Sequence, residues 1–181
     1  MSQPAPAKKV KLILSAIYSD PQAWLSLLKN LEEKFGETDY SSKEMPFNYT
    51  SYYEKEMGAP LFRELVSFAR LIKPEELAGI KIFTNQLELG ASEGGKRKVN
   101  LDPGYLSLDH LVLATGKACA HRIYLRDGIW ADLHLIYESG GFQPLKWTYP
   151  DYRSQSLLSL FNRLREVLKL TLKSGEAGDA L

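Results

Sequence analysis

The 181 residues, 44% of them hydrophobic, suffice for one sizeable core, and Lys plus Arg at 23 against Asp plus Glu at 22 leave no global field to draw in nucleic acid or an anionic membrane. A single cysteine, Cys119, excludes an internal disulfide and a cysteine-rich zinc site, and it fits a reducing, cytoplasmic setting. The apolar run Val10 to Tyr18 is too short to span a bilayer, so no membrane partner is expected.

Residues 1–9, with Pro4 and Pro6 among small residues, are expected to form a disordered leader. Val10 to Tyr18 reads as a central strand covered on both faces. Asp20 then caps a helix with Pro21 at its first position, Trp24, Leu28, Leu31 and Phe35 recur at helical spacing, and Gly36 supplies the stop. Glu37 to Phe47 suggests an exposed strand or two, with Pro46 marking an edge. Leu61 to Ile72 alternates in period two and is read as a strand, although propensity alone allows a helix. Pro74-Glu75-Glu76 opens a helix with Leu77, Ile80, Thr84 and Leu87 along one side.

Gly90 to Gly95 reads as a flexible loop, Lys98 to Leu101 as a short strand, and Asp102-Pro103-Gly104 as the turn that ends it. Strand, helix, strand, strand, helix, strand is the split βαβ order, so the expected class is α+β: a ferredoxin-like βαββαβ part extended by an antiparallel hairpin and a C-terminal helix. Leu108 to Thr115 is a further strand or a short helix. His121 to Leu125 and Ile129 to Glu138 flank Asp127-Gly128, a strong hairpin signal. After the aromatic loop Trp147 to Arg153, Ser154 caps a last helix with an apolar stripe from Leu157 to Leu172. One domain is thus expected over residues 10–173, with 174–181 a frayed tail.

The phrases Asn100-Leu101-Asp102-Pro103-Gly104-Tyr105, His121-Arg122-Ile123-Tyr124-Leu125 and Trp147-Thr148-Tyr149-Pro150-Asp151-Tyr152-Arg153 resemble, in this order, an uncharacterised prokaryotic family, domain of unknown function 4416. Tyr52 to Gly58 and Thr84-Asn85 are similar to its pattern too. The resemblance implies a single bacterial domain and marks these clusters. It brings no activity, substrate or cofactor.

Each cluster has a functional and a bland reading. Gly90 to Lys96 superficially fits part of a phosphate loop, but Arg97 replaces the magnesium-binding hydroxyl and the loop runs from helix to strand, so a connector is favoured. A two-residue turn at Asp127-Gly128 would pair Ile123 with Asp132 and His121 with His134, placing two imidazoles and a carboxylate on one face. The apolar neighbours weigh against a metal there, and none is assigned. Arg122, expected on the opposite face beside Leu133 and Leu135, needs an anion, either Asp102 or Asp151 or a ligand. Cys119 is taken for a partly buried thiol rather than a nucleophile.

These residues carry the functional expectation, a cytoplasmic protein binding a small anionic, planar ligand such as a nucleotide or phosphorylated metabolite. Asn100, Tyr105, Arg122, Trp147, Tyr149, Tyr152 and Arg153 are the binding candidates, with Lys96 as further charge. His121, Asp102 and Asp151 are the acid–base candidates should a reaction occur. No motif names a cofactor or an oligomeric state. The competing reading is a non-catalytic module whose aromatic clusters meet protein or RNA.

Overall fold

Val10–Tyr18 forms β1, buried at every position, because helices cover one of its faces and a helix and loops the other. The computed structural model describes residues 3–178, and around β1 it builds a nine-stranded sheet whose ladders are all antiparallel. The helix α1 (Pro21–Phe35) is capped by the Asp20 carboxylate, which accepts from the backbone N–H groups of Gln22 and Ala23. It buries Trp24, Leu27, Leu31 and Phe35 against the even-numbered side chains of β1. After it come β2 (Thr38–Ser41), β3 (Met45–Pro46), the short α2 (Glu54–Met57), and β4 (Phe62–Ile72), which is a strand as its alternation predicts. The helix α3 (Leu77–Gly90) leads to β5 (Val99–Leu106) and β6 (His110–Thr115). The hairpin β7 (Arg122–Arg126) and β8 (Ile129–Glu138), β9 (Gly141–Pro144) and α4 (Gln155–Gly178) complete an α+β fold.

The sheet order is β2-β4-β1-β5-β6-β8-β7, with β3 on β4 and β9 on β8. The crossover through α1 joins β1 to β2 across β4, and that through α3 joins β4 to β5 across β1, so the two crossovers interleave. α1 and α3 pack on one sheet face, whereas α4 packs on the other, over Ile13, Leu65, Leu106, Leu111, Leu113 and Leu135. α4 covers only part of that second face.

Several local expectations are corrected. Asp102-Pro103-Gly104 is no turn; β5 runs through it, with Pro103 opposite Leu14 of β1. β6 pairs with β5 only from Gly104 onward, so Pro103 has a ladder neighbour on one side, where a missing N–H is tolerated. Gly104 serves close approach rather than a positive φ, since a methyl there would stand 2.5 Å from the Val112 carbonyl oxygen. α4 runs on through residues 174–178, and residues 179–181 of the expected tail, like Met1 and Ser2 of the leader, lie outside the described residues. Residues 3–9 carry no regular secondary structure.

The hairpin register also differs. Asp127 (φ 52°) and Gly128 (φ 75°) make the expected two-residue turn, closing Arg126 on Ile129, but Leu125 is an extra residue in β7. That bulge slides the ladder by one, so Arg122, not Ile123, lies opposite Asp132.

Candidate functional site

Three features of the sheet create a cleft beside α4. First, β5 and β6 pair only over Gly104–Leu106 and Leu111–Leu113, so their far ends part, and α3 sends Lys81, Asn85 and Glu88 toward the opening. Second, His134 is an extra residue in β8 opposite β6, which lets Leu135 meet α4 while Asp132 shares the same face opposite Leu113. Third, two loops wall the opening: Phe47 to Tyr53, anchored by Phe47 and Tyr53 on Ile17, Met57 and Leu61, and Tyr149 to Tyr152.

The cleft has two adjoining lobes that share Tyr52, Tyr53, Asp102, Leu113, Lys117 and Tyr149. The polar lobe, about 330 Å³, adds Lys81, Glu88, Arg97, Asn100, Asp132 and the strand end Thr115-Gly116-Lys117. The aromatic lobe, about 380 Å³, adds Ile17, Phe47, Tyr49 and Tyr152, with Ser15, Arg63 and Asp151. Both volumes lie within the range of small-molecule sites.

Almost every cation here is matched. Arg97 bonds Glu56 through Nε (2.7 Å) and Nη2 (2.8 Å), and Glu88 (2.9 Å) and Asn100 (2.8 Å) through Nη1. Lys81 donates to the Leu101 carbonyl (2.6 Å) and lies 3.4 Å from Asp102, whose other oxygen accepts from Asn100 Nδ2 (2.8 Å). Arg63 pairs with Asp151, donates to Ser15 Oγ (2.9 Å) and lies over the Tyr152 ring. Arg122 donates from Nε to Asp132 (2.8 Å) and from Nη1 to the Lys117 carbonyl (2.8 Å). Lys117 differs: its ammonium meets only the Tyr52 hydroxyl (3.2 Å) and ring (4.6 Å) and has no carboxylate partner among the described residues.

The environment sets the protonation states. Burial raises the phenols of Tyr53, Tyr149 and Tyr152, so they present O–H donors rather than phenolates. Burial pushes the Glu88 carboxyl above its usual range, against the pull of Lys81 and Arg97, whereas its neighbour Glu56 is held low by its hydrogen bonds from Arg97. Burial also works to raise Asp132, but His134 and Arg122 together overcome it and hold the carboxyl low. Behind the cleft wall His134 is fully buried, with Nδ1 3.3 Å from Asp132 Oδ1 but off hydrogen-bond alignment; neither ring nitrogen has a hydrogen-bond partner among the described residues. Tyr149 meets that imidazole edge to face at 4.4 Å.

Of the residues singled out in the sequence, Asn100, Asp102, Tyr149, Asp151 and Tyr152 come together in the cleft. Arg122 stands behind them, holding Asp132 and reaching the Tyr149 hydroxyl at 3.4 Å. Its carboxylate is therefore neither Asp102 nor Asp151, because the bulge at Leu125 turns it to Asp132. His121 and Arg122 were expected on opposite faces, yet both approach Asp132, His121 Nε2 at 3.6 Å, because His121 precedes the strand and is not bound by its alternation.

The remaining candidates lie elsewhere. Tyr105 is on the α1–α3 face, its hydroxyl 3.3 Å from His110 Nε2. Trp147 stacks on His121 at 4.9 Å and donates to the Leu133 carbonyl (2.7 Å). Arg153 staples its own loop through the carbonyls of Leu145, Lys146 and Thr148. Lys96 closes the bridge Glu93–Lys96, outside the cleft. Cys119 is exposed rather than partly buried, since it lies in the turn before β7, with Sγ 3.5 Å from His121 Nδ1. Among the described residues no group of three or more His, Cys, Asp and Glu is placed to hold a metal ion.

Sequence reasoning missed Lys81, Glu88, Arg97 and Arg63 as cleft residues because long-range packing brings them in. Lys117 had a local signal: Thr115-Gly116-Lys117 directly follows the apolar strand Leu111 to Ala114, a strand-end position from which side chains reach a cleft.

Fold and site together define an α+β domain with a two-lobed cleft, one lobe aromatic and one charged, on a half-covered sheet face. The chain belongs to the family described as a domain of unknown function, DUF4416, whose profile matches residues 8–167. No curated protein and no solved structure matches it. Among the described residues no helix is long and apolar enough to cross a membrane.

Proposed function

We propose that the cleft binds a small, anionic, planar metabolite of nucleotide size, its plane in the aromatic lobe and its anionic group in the polar lobe. The observation that carries this reading is Lys117, the cleft cation without a carboxylate partner among the described residues, standing between both lobes beside the uncluttered backbone of Gly116. An anion there completes a charge pair that the protein leaves open, while Arg97, Arg122 and Arg63 have carboxylates and shape the walls. Tyr49 and Tyr52, exposed at the rim, supply faces for stacking, and the protonated phenols of Tyr53 and Tyr149 supply donors.

If the site is an enzyme's, Asp102 is the acid–base residue best placed, since it lines both lobes with Asn100 and Lys81 at its oxygens. The recessed lobes favour a small molecule over a protein or RNA surface, which would stack on a flat aromatic face. A cytoplasmic setting belongs to the same proposal, because the lone thiol of Cys119 is exposed and unbridged.

The test is a thermal-shift screen of nucleoside phosphates and sugar phosphates. A ligand at ~100 times its Kd adds about 2.7 kcal/mol by mass action, a shift of several degrees, in the unchanged protein. The same ligand is expected to shift Lys117→Ala far less. A panel with no shift, or shifts that Lys117→Ala retains in full, would refute the reading.

A further inference from the structure

On its sheet side the aromatic lobe is lined by a buried cation whose donors the fold uses only in part. Arg63 of β4, 4% exposed, stands there with Ser15 and Asp151. Its guanidinium lies over the Tyr152 ring at 4.7 Å, with Nε donating to Ser15 Oγ and Nη1 to Asp151. Nη2 has no hydrogen-bond partner among the described residues. The unpartnered side-chain atoms that packing encloses there are Asp132 Oδ1 and the two ring nitrogens of His134, so Nη2 is not sealed in and borders the lobe that Arg63 lines.

The acceptors around it each hold a donor already. Asp151 takes Arg63 at one oxygen and the Tyr152 backbone N–H at the other, and Asp102 is met by Lys81 and Asn100. Tyr149 accepts from Arg122 at 3.4 Å, which leaves its hydroxyl hydrogen to donate. The lobe thus has donors to spare, in a recess where an unmet donor is costly.

Resting on the reading of the cleft given above, we infer that Arg63 recognises the edge of the planar group remote from the anion, and that this edge carries a carbonyl oxygen. The ligand class is an oxo-substituted heterocycle, a uracil- or hypoxanthine-type ring, rather than its amino-edged counterpart. A guanidinium has donors and no acceptor, so it gives a carbonyl oxygen a charge-assisted bond. The ring N–H beside that carbonyl turns to the Asp151 carboxylate, whose oxygens keep further lone pairs. In the same pose an amino-edged ring reverses donor and acceptor and sets its amino hydrogens against the cation.

The test compares matched pairs that exchange one oxo group for one amino group: uridine with cytidine and inosine with adenosine, as 5′-mono- and triphosphates, titrated into the full chain. The oxo member of each pair is expected to bind about tenfold or more tighter. Arg63→Lys, which keeps a cation beside Asp151, is expected to bring both ratios toward one, whereas Lys117→Ala weakens both members of a pair and leaves their ratio unchanged. Circular dichroism checks the folding of each variant, and the wild-type ratios decide the matter without one. Nucleotides that bind with equal affinity within each pair, or with the amino member tighter, would overturn the inference and leave the anion site standing, as would a ratio that survives Arg63→Lys. Failure of every nucleotide to bind would remove the reading of the cleft and this inference with it.

Discussion

One face of the sheet does two different things within a few residues. Ile13, Leu65 and Leu135 meet α4 in a dry core, while Ser15, Arg63 and Asp132, two or three residues along the same strands, look into a cleft of paired charges and tyrosines. The dry half needs only shape, and the wet half needs each charge to have its partner. The boundary falls where α4 ends its coverage and where the bulge at His134 changes which side chains of β8 face front. The contrast teaches that the cleft is built from costly groups held by explicit pairs, with Lys117 the cleft cation that has no carboxylate partner among the described residues.

The largest effects should come from breaking each half at its own strength. Leu135→Ala, in the dry half, is expected to lose about 2–5 kcal/mol of stability in urea unfolding with ligand affinity unchanged. Asp132→Ala, in the wet half, leaves the Arg122 guanidinium beside a buried space, and a loss of about 3–5 kcal/mol is expected, together with weaker binding. Equal affinity in Asp132→Ala and the wild type would show that the wall does not shape the site.

Gly104→Ala probes the joint where β5 and β6 still touch, and steric conflict with the Val112 carbonyl is expected to cost about 1–3 kcal/mol. A neutral outcome in the same unfolding experiment would mean that the two strands separate more readily than their ladder implies.

A finer test uses the two carboxylates that share Arg97. Glu56 titrates below its usual value in the folded chain, so its contribution is present at neutral pH and lost as pH falls through the folded value. Glu56→Gln should therefore show a flatter acid limb. Glu88 titrates above its usual value, so its contribution is fullest in acid and lost as pH rises through the folded value. Relative to the wild type, Glu88→Gln should gain stability on rising pH. Thermal melts between pH ~3 and ~8 check both signs; parallel curves for the two variants would contradict the assigned environments.

What the sequence discloses follows from the range of the forces involved. β1, α1, β4 and the hairpin turn are legible because periodicity, the Asp20 cap and Asp127-Gly128 act locally. Pro103-Gly104 misleads because those residues usually punctuate a chain, whereas here a one-sided ladder and a close strand contact accommodate them. The bulges at Leu125 and His134 leave no local mark, yet they decide that Arg122 finds Asp132. The site is legible in part for the same reason: the strand and loop residues Asn100, Asp102, Tyr149 and Asp151 stand out by type, but Arg63, Lys81 and Glu88 read as ordinary strand and helix residues until the fold brings them together.

Lys117→Ala is the mildest change to the folded state and the most telling for the cleft. The side chain is exposed and has no carboxylate partner among the described residues, so stability should move by less than about 0.5 kcal/mol. An equilibrium titration of the best nucleoside or sugar phosphate from the thermal screen, into wild type and Lys117→Ala side by side, measures the claim directly. Affinity falling tenfold or more, with the folded state intact, is the predicted result; equal affinity in the two proteins would place the anion elsewhere and contradict the account.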